Sequence, residues 1–136
     1  MDATLQLVEG GLCWMTLNGE VNQRQLRKFI DPLAADEEMY SKKIACDISG
    51  ISLLDSAGVS WLFVTHKRCR EHGGRFVLYA GSELVINVIK VLRLNLVFDL
   101  ATDETTARQL AVAPVPEEPR GQVSYPDNAV EPDAEA

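Results

Sequence analysis

No run of apolar residues in this 136-residue chain reaches the roughly 18–20 needed to cross a bilayer, so no membrane span is expected. Basic residues are few. Thirteen Lys and Arg against 20 Asp and Glu leave a formal net charge of −7, which argues against a nucleic-acid backbone as the main partner, because its binders present basic surface. Cysteine is scarce too. Cys13, Cys46 and Cys69 are widely spaced, form no C-x-x-C and sit in apolar patterns, which predicts buried free thiols rather than disulfides or metal ligands. Met1–Asp2–Ala3–Thr4 carries an acid and no basic segment, so no secretory signal is expected and the cytoplasm is the expected compartment. There is no G-x-x-x-x-G-K-[ST] loop, no H-E-x-x-H and no G-x-S-x-G, and with them go the simplest phosphate-loop, zinc-protease and nucleophile-elbow readings. No catalytic residue, metal or cofactor is expected.

What is present is the composition of a globular protein, 46% hydrophobic and 24% charged, with strand and helix patterns alternating along the chain. Leu5 and Leu7 lead to Gly10–Gly11, a hairpin dipeptide, and Leu12, Trp14 and Leu17 predict a returning strand ending at Asn18–Gly19. Cys13 and Met15 fill the alternate positions, as in a strand buried on both faces. Asn22 is a good N-cap for a helix whose apolar positions are Leu26, Phe29, Ile30 and Leu33. Asp31–Pro32 reads as a new cap and first helical position, opening a second short helix to about Tyr40. Ile44, Ala45, Cys46 and Ile48 predict a buried strand, interrupted by Asp47 and ended by Ser49–Gly50.

Leu53 and Leu54 return the chain to the core, and Asp55–Ser56–Ala57–Gly58 opens a strongly periodic helix. Val59, Leu62, Phe63, His66 and Cys69 share one face at helical spacing, and Gly73–Gly74 stops the helix after Lys67, Arg68 and Arg70, which suit the negative end of its dipole. Asp55 or Ser56 caps the first turn, and a phosphate on Ser56 would meet the positive end of the dipole. His66, on the apolar face, reads as a hydrogen-bonded, semi-buried residue, and His72 as a solvated one. A hydrolase built on Ser56 would need His66 as base, yet ten residues at ~1.5 Å each place it about 15 Å along the helix. Trp61, Val64 and Arg68 face the other way. Trp61 either packs beneath another part of the chain or anchors a partner, since Trp and Arg are common at interface centres.

Arg75 to Ala80 predicts a buried strand ended by Gly81, and Ser82–Glu83 a cap and first-turn acid for the next helix. Leu84, Val85, Val88, Val91 and Leu92 form its expected core face, widened by Ile86 and Ile89, so that it is buried on two sides or partly faces a partner. Leu96–Val97–Phe98 predicts an edge strand, and Asp103 to Leu110 a last short helix. Residues 1–112 are expected to form one domain. Residues 113–136, punctuated by proline and rich in Asp and Glu, are expected to be a mostly disordered tail.

Asp47–Ile48–Ser49–Gly50 followed by Asp55–Ser56–Ala57–Gly58 at a helix start resembles the signature of the STAS domain, the family of bacterial anti-sigma factor antagonists. Leu17–Asn18–Gly19–Glu20–Val21–Asn22 resembles a second family turn, with Asn22 where an Asp often stands near the phosphorylation site. The resemblance extends from Leu5 to about Leu110. It implies an α/β fold with a mixed β-sheet of four to five strands and helices packed mainly on one face. It implies a regulatory protein and not an enzyme. Ser56 would accept phosphate from an anti-sigma factor with serine kinase activity, and a phosphatase would reset it. Asp55, Ala57, Gly58 and Asn22 would form the phosphosite neighbourhood, and Trp61, Val64 and Arg68 the docking surface. The alternative it implies is a constitutive STAS adaptor, in a larger signalling assembly or a lipid-transport ATPase complex, with no phosphorylation cycle.

Overall fold

In a computed structural model, which describes residues 1–114, five strands form one sheet in the order β1-β2-β3-β4-β5. β1 (Asp2–Val8) and β2 (Leu12–Val21) are an antiparallel hairpin. Its tip carries Gly10 and Gly11 at φ +81° and +80°, the left-handed region that glycine occupies without steric cost. β3 (Lys43–Leu54), β4 (Arg75–Tyr79) and β5 (Asp99–Ala101) add in parallel, so the sheet is mixed. The expected α/β fold is therefore found, with the larger strand number.

The helices α1 (Gln23–Leu26), α2 (Ser56–Glu71), α3 (Glu83–Val91) and α4 (Glu104–Val112) are divided between the faces by the two-residue period of the strands. Ile44, Cys46 and Ile48 of β3 and Phe76 and Leu78 of β4 point into the larger core with Val59, Leu62 and Cys69 of α2 and Val85 and Ile89 of α3. Ala45, Val77 and Tyr79 point the opposite way, onto Ala107 and Ala111 of α4. β4 is buried at every position, as expected of a central parallel strand. The three cysteines are buried and free; burial raises their thiols, that of Cys69 to about 12.

Five local expectations need correction. β3 does not end at Ser49–Gly50. It loses β4 after Asp47 but follows β2 to Leu54 through two register shifts, and a side chain at position 50 would collide with Asn18. Second, α1 stops at Leu26. Beyond it the Lys28 and Phe29 N–H groups turn back to the Gln25 and Leu26 carbonyls, three residues earlier and not four, and Ile30, expected in the core, is 86% exposed. Asp31 accepts from the Leu33 N–H at 2.9 Å to form a turn, and a short 3-10 helix (Glu37–Ser41) replaces the second helix. Third, α3 buries Val85 and Ile89 but leaves Leu84, Val91 and Leu92 largely exposed. Fourth, the edge strand lies at Asp99–Ala101, because Arg93 in left-handed conformation and a 3-10 turn at Leu94–Leu96 deliver Val97 and Phe98 to the core first. His66 is fully rather than partly buried, its ring edge-on to Phe98 at 5.7 Å. The acidic, proline-rich segment lies outside the described residues after Pro114.

The strand shift has a polar cause that the pattern of apolar residues does not carry. Arg75, at the start of β4, donates from Nε to Asp99 Oδ2 at 2.9 Å, both residues being almost wholly buried. Its Nη1 donates to the Ala113 carbonyl at 3.1 Å, tying the end of α4 to the sheet. A buried ion pair adds little over an apolar pair, but removing one partner strands a charge in the interior. Asp99→Ala is accordingly expected to lower unfolding free energy by about 3–5 kcal/mol, read by urea denaturation at neutral pH; a loss below about 1 kcal/mol, the size of an exposed pair, would contradict the assignment.

Candidate site at the start of helix α2

β2 and β3 run parallel and end level, with Val21 opposite Leu54. The next residues, Asn22 and Asp55, therefore lie side by side at one end of the sheet, each opening a helix. Asn22 Oδ1 accepts from the Gln25 N–H of α1 at 2.9 Å. Asp55 Oδ1 accepts from the Gly58 N–H of α2 at 2.9 Å, and its other oxygen accepts from the Gln23 N–H of α1 at 3.1 Å. One carboxylate thus serves the N-termini of both helices, where backbone donors lack helical partners. The Gly58 bond, with others from Gln23 and Ala57, holds the Asp55 carboxyl below the usual carboxylate range, against a smaller opposing effect of desolvation.

Of the two capping candidates, Asp55 is the cap. Ser56 is the first residue of the 16-residue α2 and is exposed, its hydroxyl not used for the cap. Ala57 is half-buried and Gly58 buried. A side chain at position 58 would strike the Val21 carbonyl and crowd Leu54, so glycine is what lets α2 start directly against the end of β2.

The outer face of α2 is only partly open. Val64 is 41% exposed. Trp61 is half-buried, its indole N–H donating to Asp31 Oδ2 at 3.1 Å and its ring meeting Phe29 edge-on at 5.6 Å. Of the two readings of Trp61, packing beneath another part of the chain is the one observed. Arg68 is exposed and turned to Tyr40, donating to its hydroxyl at 3.4 Å with the guanidinium 5.8 Å from the ring centre. It stands twelve residues from Ser56, about 18 Å along a helix, so it borders the far end of the helix and not the serine. Phe29, Asp31 and Tyr40 were not anticipated here. Asp31–Pro32 reads as the start of a second short helix, and nothing in its spacing announces the turn found there or its place over Trp61.

His66, ten residues from Ser56 and buried against Phe98, does not supply it with a base. Among the described residues no group of His, Cys, Asp and Glu is arranged to hold a metal ion, and no helix is long and apolar enough to cross a membrane.

Two outcomes test this construction. Gly58→Ala forces a methyl group against backbone and is expected to cost about 1–3 kcal/mol, the range for overpacking, in chemical denaturation. The Asp55 contribution is complete above its unfolded-state pKa near 3.9 and falls away as pH drops through the lower folded-state value. The stability gap between the chain and Asp55→Asn should therefore narrow on acidification below about pH 4; a gap that widens there would contradict it.

A model of the STAS domain matches residues 8–108, spanning β2 to α4 and including the whole Ser56 site. Solved structures share the fold. An anti-sigma-factor antagonist (STAS) domain protein from Planctomyces limnophilus superposes with a TM-score of 0.65 at 13% identity, over 83% of this chain and all of that one. A candidate anti-sigma factor antagonist from Thermotoga maritima gives 0.68 at 18% identity, over 79% of this chain and 92% of that one. The Bacillus cell fate determinant SpoIIAA, in its phosphorylated form, gives 0.56 at 20% identity, over 79% and 98%. The match of sequence and the shared architecture have one reading: the chain belongs to the STAS domain family.

Proposed function

We propose that this protein is an anti-sigma factor antagonist working as a phosphorylation-controlled switch, with Ser56 as phosphoacceptor and an anti-sigma factor with serine kinase activity as partner. The observation that carries the reading is the division of labour at the start of α2: Asp55 performs the cap and leaves Ser56 exposed at the first helical position. A capping serine would have to give up its bond to be modified. Ser56 can accept a phosphoryl group with both caps intact.

Without phosphate, the partner engages Ser56 and the outer side of α2 past Trp61 and Val64 toward Arg68, freeing a sigma factor. The partner brings ATP and Mg²⁺; this chain contributes only the hydroxyl. Phosphorylation adds about −1.5 to −2 charges at neutral pH. The α2 dipole accommodates them, so the fold survives, while the added charge beside Asp55 and the added bulk repel the partner. Asn22, neutral where an acid is common in the family, leaves the unmodified site with one negative charge fewer. A phosphatase returns the chain to its binding form, and the cycle runs in the cytoplasm. SpoIIAA, a neighbour by fold, has been solved both unphosphorylated and phosphorylated, and the two forms superpose on this chain about equally, with TM-scores of 0.58 and 0.56, which supports a scaffold compatible with such a cycle.

Intact mass after incubation with the cognate kinase, ATP and Mg²⁺ tests the acceptor. The chain should gain one phosphoryl group and Ser56→Ala none, with unchanged circular dichroism. Equal incorporation in a folded Ser56→Ala variant would place the acceptor elsewhere, and stable partner binding with no incorporation in the unaltered chain would favour a constitutive adaptor.

A further inference from the structure

The segment between α1 and β3 crosses the outer side of α2 and is fastened at both ends. Near its start, Phe29 and Asp31 hold Trp61. Near its finish, the Tyr40 hydroxyl meets Arg68 and Glu37 meets His72, the residue that ends α2. The His72 contact has a feature that geometry alone exposes. Nδ1 lies 2.8 Å from the Arg68 carbonyl, and Nε2 lies 3.2 Å from Glu37 Oε2. A carbonyl and a carboxylate oxygen are both acceptors only, so each ring nitrogen must bring a hydrogen. A neutral imidazole has one N–H and can satisfy one of them; the imidazolium has two.

We propose that residues 29–40 form a strap over α2 whose Glu37 end is fastened when His72 is protonated and released when it is neutral. In the neutral ring the Nδ1 hydrogen stays on the Arg68 carbonyl, completing the end of α2, and the Nε2 lone pair is left facing a carboxylate. Protonation turns that repulsion into a charge-assisted bond. The other groups around the ring do not reverse this logic. Glu71 adds negative charge from the same helix and favours the cation. Tyr40 presents its ring at 5.6 Å, and the Arg68 guanidinium is turned to that ring at 5.8 Å. Consistently, the backbone bond to Arg68 first, and then the Glu37 carboxylate, raise the His72 pKa above its ordinary value. The fastening is therefore complete below the unfolded-state value of about 6.5 and is lost as pH rises through the higher folded value. Through Trp61 the same strap covers part of the face assigned above to the partner. That consequence rests on the proposed function; the fastening does not.

A pH titration of the full chain by NMR, following the imidazole Cε1–H of His72 and the backbone amides of Glu37–Ser41, tests the strap without any partner. His72 is expected to titrate above about 6.5, the amides to follow with the same midpoint, and Glu37→Gln to lower that midpoint and flatten the amide response. Glu37 is 79% exposed at its side chain, so the variant keeps the fold. A midpoint unmoved by Glu37→Gln, or amides that do not follow His72, would overturn the proposal.

Discussion

Two backbone ends, those of β2 and β3, are held against one carboxylate. Asp55 takes N–H groups from the first turns of two helices, and it does so because the parallel strands finish level and because Gly58 has no side chain to keep α2 away from Val21. The rest of the site follows from that constraint. With Asp55 as the cap, the Ser56 hydroxyl is not used for the cap. With α2 starting at the end of the central strand β3, its dipole opens where the serine is exposed. The pairing of β2 with β3 fixes where those two strands end.

Much of this was legible from residue order. The apolar run of β4, the helical face of α2, the caps at Asn22 and Ser82 and the glycines of the hairpin are local features, and local physics decides them. Expectations failed where a distant partner decided. Ser49–Gly50 looks like a strand end when read alone; with β2 beside it the strand continues, and Gly50 is the close approach to Asn18. Leu96–Val97–Phe98 has the stronger apolar pattern, yet Asp99 enters the strand because Arg75 waits for it inside the protein. Leu84, Val91 and Leu92 satisfy helical spacing but point away from the core, since α3 lies on the sheet by a narrower stripe than its composition allows.

The candidate site divides the same way. The Asp-Ser-Ala-Gly stretch places a serine at a helix start whatever the fold around it, and the parallel strand ends bring Asn22 alongside. The outer side of α2 could not be read so far. Trp61 points outward by periodicity, but the chain folds Phe29 and Asp31 over it, and at the far end Arg68 is engaged with Tyr40. The exposed surface nearest the serine is therefore smaller than the pattern implied.

The central claim is that a phosphate at Ser56 changes binding and not fold. The direct measurement is the affinity of one kinase-like anti-sigma factor for the unmodified and the Ser56-phosphorylated chain, by calorimetry at matched pH and salt, with thermal unfolding of both forms alongside. The account predicts at least a roughly tenfold weakening, about 1.4 kcal/mol, with the unfolding midpoint essentially unchanged. Equal affinity of the two forms, or weakening that appears only because the phosphorylated chain has unfolded, would contradict it.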